Sequence, residues 1–164
     1  MKDLKHLYYF EKLLEDAYND LVRQAIDETQ KEFPGLEIKL LTDVPDDFHF
    51  HTSLLYFMRS IRELLFNAAK YSDGQNIVVR ITRTEDTVRF VVEDTGPGIQ
   101  EKDINRLFEM FTKVNDLSEG LGIGLPLAKR HIQHLGGDLT LDTSYQDGCR
   151  FIIELPIGEA PNGI

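Results

Sequence analysis

The stretch TSLLYFMRSIRELLFNAAKY, residues 52–71, decides how most of this chain can fold. Apolar residues recur in it at intervals of three and four, which predicts an amphipathic helix. Thr52 is the predicted N-cap, and the polar run 72–74 is predicted to end the helix. At about 100° per residue, one broad side is apolar and is expected to face a core. That side consists of Leu54, Phe57, Met58, Ile61, Leu65 and Ala68.

The opposite side of this helix carries a row of three polar residues with complementary chemistry. Glu63, Asn67 and Lys70 fall within an arc of roughly 60°. An amide oxygen suits Mg²⁺, an ammonium group suits a phosphate, and a carboxylate can act as a base or hold a metal-bound water. Taken alone, such a row is more typical of a solvated helix surface than of a site.

The elements predicted around this helix alternate between helices and strand pairs. A helix over about residues 4–33 ends at Pro34-Gly35. The remaining pattern predicts strands near 36–40, 77–82, 87–93, 138–144 and 150–156, a short helix over 101–111, and a last helix closed by Gly136-Gly137. This order favours a two-layer α+β sandwich rather than a doubly wound parallel sheet.

The composition restricts the classes of function before any further motif is considered. The chain has 164 residues, a net charge of −10 and one cysteine, Cys149. The acidic balance argues against a large nucleic-acid surface, and one cysteine excludes an internal disulfide and a cysteine-rich zinc module. No apolar run approaches the ~20 residues that span a bilayer. We therefore expect a cytoplasmic domain with no nucleic-acid partner and no direct membrane contact.

Two glycine-containing segments carry the remaining signal. The turn DTGPG at 94–98 directly follows an apolar strand, and its Pro-Gly pair is typical of the middle of a type II turn. Glycines there let the backbone approach a flat ligand closely. The segment GLGIG at 120–124 opens a helix, where free N–H groups can bind phosphates. Its spacing fits neither the dinucleotide fingerprint nor the P-loop.

Taken in chain order, the motifs form a recognisable series. They are ELLFNAAKY at 63–71, DTGPG at 94–98, Phe108-x-x-Phe111, GLGIG at 120–124 and GCRF at 148–151. This series closely resembles the N, G1, F, G2 and terminal glycine boxes of the catalytic ATP-binding domain of bacterial sensor histidine kinases. That domain has the Bergerat fold, shared with DNA gyrase, MutL-type repair proteins and heat-shock chaperones. The resemblance implies a mixed, mostly antiparallel sheet covered on one face by helices.

The resemblance also implies roles for the motifs, with ATP as substrate and Mg²⁺ as the metal. Asn67 would coordinate Mg²⁺ with Glu63, and Lys70 would meet a phosphate, so these three form the implied catalytic set. Asp94 would accept a hydrogen bond from the adenine amino group. Residues 112–119 would form a mobile lid. The other implied nucleotide contacts are Tyr71, Gly96, Gly98, Ile99, Phe108, Lys113, Gly120, Leu121, Gly122, Ile123, Gly124 and Leu125.

Glu63 departs from the commonest pattern of this family. Many sensor kinases carry Asn at that position, and a subset carries Glu. In the gyrase and repair ATPases, a glutamate there activates water. The resemblance therefore leaves the role of Glu63 open between a base and a metal ligand.

The implied organisation is an ATP-binding domain over 36–157, preceded by a helix over 1–35 and followed by a tail over 158–164. The first segment could include a remnant of a preceding helical region. The implied reaction donates the γ-phosphoryl group to a histidine on the protein's own dimerisation and phosphotransfer domain, with a response regulator downstream. His6 fits that acceptor poorly because Leu7, not an acidic residue, follows it. A parent protein anchored in the inner membrane is compatible with these expectations.

Two other functions stay open from the sequence. One is a stand-alone Bergerat-fold ATP-binding switch of the anti-sigma serine kinase type, and the other is a non-catalytic nucleotide-sensing module. A metal site at His131 and His134 is disfavoured, because no Cys, Asp or Glu partner is evident, so both are expected to be surface histidines. Cys149 is expected to be a small strand residue rather than a nucleophile.

Overall fold

The computed structural model describes residues 18–48, 52–72, 76–109 and 124–157. These ranges contain four helices and five strands. The helices are α1 (Tyr18–Glu32), α2 (Leu54–Tyr71), α3 (Glu101–Ile104) and α4 (Gly124–His134). The strands are β1 (Ile38–Thr42), β2 (Ile77–Arg83), β3 (Thr87–Glu93), β4 (Asp138–Leu141) and β5 (Arg150–Pro156). In these ranges, no helix has the length and apolar character needed to cross a membrane.

The strands form one mixed sheet in the order β1-β2-β3-β5-β4. Strand β1 pairs with β2 in parallel, and all the other pairs are antiparallel. Along the central strands, Val79 lies opposite Val92, which in turn lies opposite Phe151, and all three side chains are buried. The predicted α+β class, with a mixed and mostly antiparallel sheet, is confirmed.

The core lies between one face of this sheet and the helices. Helix α2 contributes the largest share, because Phe57, Ile61, Leu64 and Leu65 are all 1% exposed or less. The Phe57 ring lies 4.8 Å from that of Phe90 on β3. On the other face of the sheet, charged side chains alternate with these apolar ones, and Arg89 of β3 pairs with Glu154 of β5 at 2.7 Å.

Helix α1 belongs to the same core as α2. Tyr18, Val22 and Ala25 are buried, and the Tyr18 ring lies 5.0 Å from that of Phe57. Asn19 ties the helix to the chain after β1, because its Nδ2 donates to the Val44 carbonyl oxygen at 3.1 Å. The part of the predicted first helix before residue 18 lies outside the described residues.

Several predicted boundaries need correction. Ser53, not Thr52, is the N-cap of α2, since its hydroxyl accepts from the Tyr56 N–H. Strand β1 runs over Ile38–Thr42 instead of 36–40, and β4 stops at Leu141. Of the predicted helix over 101–111, the structure describes residues 101–109, and these are helical from Glu101 to Ile104. Tight turn bonds follow it, and Leu107 is the buried side chain of that turn.

The end of α4 follows the prediction. Gly136 adopts φ +89°, a left-handed conformation that glycine tolerates best. The N–H of Gly137 donates to the Ile132 carbonyl oxygen at 3.0 Å, and that of Gly136 donates to the Gln133 carbonyl oxygen at 3.0 Å. These two bonds form a Schellman motif, which satisfies carbonyl groups that the helix end would otherwise leave unpaired.

Candidate functional site

One side of α2 packs along α4. The predicted polar row of α2, which begins at Glu63, starts beside the first residue of α4. The Tyr56 ring stacks on His131, the Ser60 hydroxyl donates to the Ala128 carbonyl oxygen at 3.4 Å, and Glu63 meets Gly124. These contacts show that the helices are antiparallel. Asn67 follows Glu63 after one further turn of α2, beyond the N-terminus of α4, and its side chain is half-buried.

Glu63 and Gly124 are so close that a side chain at position 124 would require the Glu63 carboxylate to move aside. A Cβ atom built there would overlap the Glu63 carboxylate. Burial raises the pKa of Glu63 above its usual value, and the nearby Lys70 ammonium opposes part of that rise. The positive end of the α4 dipole lies at the same place. The structure therefore brings Glu63, Lys70 and Gly124 together, and their roles stay predictions.

A cleft of about 580 Å³ opens beside this contact, between α1, α2 and α4. Its lining includes Glu63, Lys70 and Gly124, and also Arg59 and Arg62, which the sequence analysis did not select. The sequence could have pointed to these two arginines, because both lie within about one helical turn of Glu63 on α2. Three basic side chains against two acidic ones, Glu63 and Glu28, give this cleft a positive excess suited to an anion.

Arg62 is held in place by an ion pair across the cleft. Its Nε lies 2.6 Å from Oε2 of Glu28, and its Nη2 donates to Oε1 at 2.9 Å. Of these two contacts, only the one from Nη2 has hydrogen-bond geometry, and the contact of Nε is an ion-pair contact. This pair fastens α1 to the outer side of α2, which leaves Arg59 and Lys70 as the more available cations of the cleft.

Asp94 lies in the turn after β3, and its side chain is buried at 7% exposure. Its N–H donates to the Cys149 carbonyl oxygen at 2.9 Å, and the Cys149 N–H donates to its Oδ1 at 3.4 Å. Burial raises the pKa of Asp94 to about 6, and the Cys149 N–H opposes part of that rise. Within the described ranges, no hydrogen bond reaches Oδ2, which keeps its capacity to accept one from a ligand.

The turn that carries Asp94 is packed between the end of α2 and the start of β5. A Cβ at Gly96 would lie 2.9 Å from the Cα of Ser72. Gly98 has φ +71°, the left-handed value that the third position of a type II turn requires. A Cβ at Gly148 would collide with the Asp94 carbonyl oxygen. Backbone packing thus explains these glycines, and their predicted role beneath a base stays a prediction.

The remaining predicted contact residues fall into two groups. Ile99, Phe108 and Leu125 are partly buried and pack against the core, and Tyr71 is half-buried at the end of α2. Phe108 contacts the Phe151 ring edge-on at 6.4 Å, and the Lys129 ammonium lies 4.6 Å from the centre of the Phe108 ring. Outside the described residues lie Phe111, Lys113, Gly120, Leu121, Gly122, Ile123 and the predicted lid at 112–119.

The two histidines of α4 differ from each other. His134 is exposed as predicted, whereas His131 is half-buried. The His131 ring is stacked on Tyr56 at 4.5 Å, its Nδ1 is buried, and burial together with Arg59 and His134 lowers its pKa. Across the described ranges, no cluster of three His, Cys, Asp or Glu residues could hold a metal by itself. Cys149 is half-buried and burial raises its pKa to about 12, which fits the predicted unreactive thiol.

Comparison with known proteins gives one family over most of the chain. The family model described as "Histidine kinase-, DNA gyrase B-, and HSP90-like ATPase" matches residues 54–159. The sensor histidine kinase GraS of Staphylococcus haemolyticus (strain JCSC1435) is 30% identical over 156 residues, which is 90% of this chain and 43% of GraS. The chain spans less than half the length of the curated relatives it matches.

Solved structures show the same architecture. The mycobacterial sensor histidine kinase MprB superposes with a TM-score of 0.76 at 22% identity, over 88% of this chain and 98% of that one. Full-length ShkA in complex with AMPPNP superposes with a TM-score of 0.72 at 25% identity, over 86% of this chain and 30% of ShkA. The MprB likeness supports the fold that the strand order already defines.

Proposed function

Because the chain belongs to the family of histidine kinase-, DNA gyrase B- and HSP90-like ATPases, we propose that it is the ATP-binding catalytic domain of a sensor histidine kinase. One observation carries the proposal. Helix α2 reaches the buried Asp94 turn at one end, where Ser72 packs on Gly96, and the N-terminus of α4 at Glu63. Nine residues of helix separate these points by about 13 Å, a distance that an extended nucleotide can span.

Asp94 is proposed to select adenine. A buried carboxylate accepts hydrogen bonds and donates none when ionised, so it suits the 6-amino group of adenine. The same carboxylate would repel the 6-carbonyl oxygen of guanine, because both groups are hydrogen-bond acceptors. Tyr71, half-buried at the end of the same helix, is proposed to pack beside the base or the ribose.

The phosphates are proposed to lie at the N-terminus of α4. Lys70 and Arg59 provide positive charge beside it, and free N–H groups at a helix start bind anions. Glu63, whose pKa is raised by burial, is proposed to take a proton from an attacking group near the terminal phosphate. The in-line attack and its geometry depend on the acceptor, which is proposed to be a histidine on a separate hairpin.

A magnesium ion fits this site only in company with phosphates. The amide oxygen of Asn67 and the carboxylate of Glu63, one helical turn apart, are two oxygen ligands, and the described residues contain no larger ligand cluster nearby. Mg²⁺ in nucleotide enzymes takes one or two protein ligands and completes its shell with phosphate oxygens and water. When bound, it would neutralise charge on the phosphates, and Asn67 would fix its position.

The proposed ATP-binding domain includes α1. Tyr18, Val22 and Ala25 are part of the core that α2 and the sheet share, so removing α1 would expose apolar surface of α2. We propose a domain that extends from at least Tyr18 to Ile157 and that acts within a longer sensor kinase. Its proposed partners are the dimerisation and phosphotransfer domain of that kinase and, downstream, a response regulator.

An Asn67→Ala variant tests the metal assignment. We expect wild-type chain to bind ATP several-fold more tightly with Mg²⁺ than without it, and the variant to lose most of that difference. The measurement is a calorimetric titration with ATP, ADP and GTP, each with and without Mg²⁺. Asn105→Ala, which removes an exposed amide after α3, serves as the matched control. An equal Mg²⁺ dependence in wild type and Asn67→Ala would place the metal elsewhere.

Nucleotide affinity is also expected to fall below pH 6. With a pKa of about 6, Asp94 is mostly ionised at pH 7, and roughly one-tenth remains ionised at pH 5. Binding that requires the carboxylate should therefore weaken about tenfold between these values. Because the folded pKa lies above the unfolded one, protonating Asp94 stabilises the unliganded fold, so unfolding at this group does not explain the loss.

The pH effect is measured by titrating wild type and Asp94→Asn with ATP from pH 5 to pH 8. Protonation of the phosphates affects both proteins equally, so the difference between the two curves reports the carboxylate. We expect a flatter curve for Asp94→Asn. Parallel curves would show that the ionisation of Asp94 has no part in binding.

A further inference from the structure

The outer face of the sheet carries a buried charge cluster directly behind the Asp94 turn. Glu93, the last residue of β3, is 6% exposed and lies between two arginines. Nε of Arg80 donates to its Oε1 at 2.7 Å, and Nε of Arg150 donates to its Oε2 at 2.7 Å. Burial alone would raise the pKa of Glu93, but the hydrogen bonds from the two arginines outweigh that effect and lower it.

Arg150 connects this cluster to the loop between β4 and β5, residues 142–149. Its Nη1 lies 3.2 Å from Oδ2 of Asp142, and its guanidinium lies 4.1 Å from the centre of the Tyr145 ring. The Tyr145 hydroxyl then donates to the Asp94 carbonyl oxygen at 3.0 Å. A continuous chain of contacts thus runs from Glu93 through Arg150 and Tyr145 to Asp94.

The same loop holds every polar part of Asp94 that the described residues contact. Tyr145 binds its carbonyl oxygen, the Cys149 carbonyl oxygen accepts its N–H, and the Cys149 N–H reaches its Oδ1. The Gly96 N–H also donates to the Asp147 carbonyl oxygen at 3.2 Å. The hydrogen bonds of Asp94 within the described residues therefore all come from this loop, and Arg150 ties the loop to Glu93 on β3.

We propose that Tyr145 and Arg150 are positioning residues that set the base selectivity of the nucleotide site from the opposite face of the sheet. This inference rests on the proposed function, because it takes Asp94 as the adenine acceptor. Discrimination between adenine and guanine depends on where the carboxylate is held. A carboxylate that can move away from a guanine carbonyl rejects it less strongly, so loosening the Tyr145 contact should reduce selectivity before it reduces folding.

The first test is Tyr145→Phe, which keeps the ring beneath Arg150 and removes only the hydroxyl. We expect ATP affinity to fall by no more than the roughly three- to tenfold that one hydrogen bond is worth, because the hydroxyl bonds Asp94 and not the ligand, while GTP affinity changes less. The ATP-to-GTP affinity ratio should narrow accordingly, with the melting temperature nearly unchanged. Tyr56→Phe, near the N-terminal end of α2 and stacked on His131, is the matched hydroxyl deletion and should leave the ratio unaltered.

The second test is a double-mutant cycle with Arg150→Lys, which keeps a positive charge near Glu93 and removes the planar group over Tyr145. If both residues act through one contact chain, their effects on the ratio should be less than additive. An unchanged ratio in Tyr145→Phe, or an equal loss of ATP and GTP with a lower melting temperature, would overturn the inference. If wild type binds ATP no better than GTP, the proposed function and this inference both fail. If wild type prefers ATP, and Asp94→Ala weakens ATP binding but Tyr145→Phe leaves the ATP-to-GTP ratio unchanged, the inference alone is refuted.

Discussion

An Asp94→Ala variant is expected to bind ATP roughly 10- to 100-fold more weakly than the unsubstituted chain, because a hydrogen bond to a charged group contributes ~1.5–3 kcal/mol. The carboxylate is 7% exposed and is held by the β4–β5 loop, so it is fixed before any ligand arrives. Little of the binding free energy is then spent on ordering it. The loss should appear for ATP and ADP alike, since the base is common to both.

The measurement is a titration of folded variant and wild type with both nucleotides at pH 7.5. Asp147→Ala is the matched control, because it removes an exposed carboxylate from the neighbouring loop and leaves intact the backbone carbonyl that Gly96 uses. Its affinity should stay within about twofold of wild type, as for screened surface charges. ATP affinity that survives in a folded Asp94→Ala protein would contradict the assignment of the base-binding end.

The sequence predicted those helices and strands well whose conformation follows from the pattern of their own residues. Helix α2, the strands β2 and β3, and the end of α4 all have strong periodicity or turn signals within their own residues. The cap of α2 was misplaced by one residue, because Thr52 and Ser53 are both good caps and only the observed hydrogen bond distinguishes them. The short α3 was overextended because its apolar residues continue the pattern after the backbone has turned.

The sequence selected candidate site residues but not the contacts between them. Glu63, Lys70 and Asp94 were selected by residue type and position. The structure places Glu63 against the first residue of α4, Lys70 in the same cleft, and Asp94 in the turn that packs on the end of α2. The Tyr145 contact with Asp94 joins residues 51 apart in sequence, and Arg150 and Glu93 are 57 apart. No local pattern reports such contacts, because they follow from the strand order that sets β3 beside β5. Arg59 and Arg62 were overlooked since their arrangement matters only once α1 and α4 flank them.

Phosphoryl transfer is expected to show the largest effect, because it depends on an acceptor that must be supplied. Incubated with γ-labelled ATP, the 164-residue chain should bind nucleotide and remain almost unlabelled. Of the histidines that the structure describes, His131 is stacked on Tyr56 with a buried Nδ1, and His134 sits at the end of the same helix. Neither is placed at the Glu63–Gly124 contact where the terminal phosphate is proposed to lie.

Adding the histidine-bearing hairpin of the sensor kinase should produce rapid labelling of the hairpin. Holding an acceptor in line with the phosphate corresponds to effective concentrations of ~10⁵–10⁸ M, so transfer should exceed hydrolysis by at least about a thousandfold. The bond formed joins the γ-phosphorus to a histidine nitrogen, and ADP leaves, so the label should be lost in acid, as expected of a phosphoramidate. A hairpin with that histidine changed to glutamine is the control. Acid-stable labelling of the chain itself would indicate a serine kinase, and fast hydrolysis without a hairpin would indicate that Glu63 activates water in an ATPase.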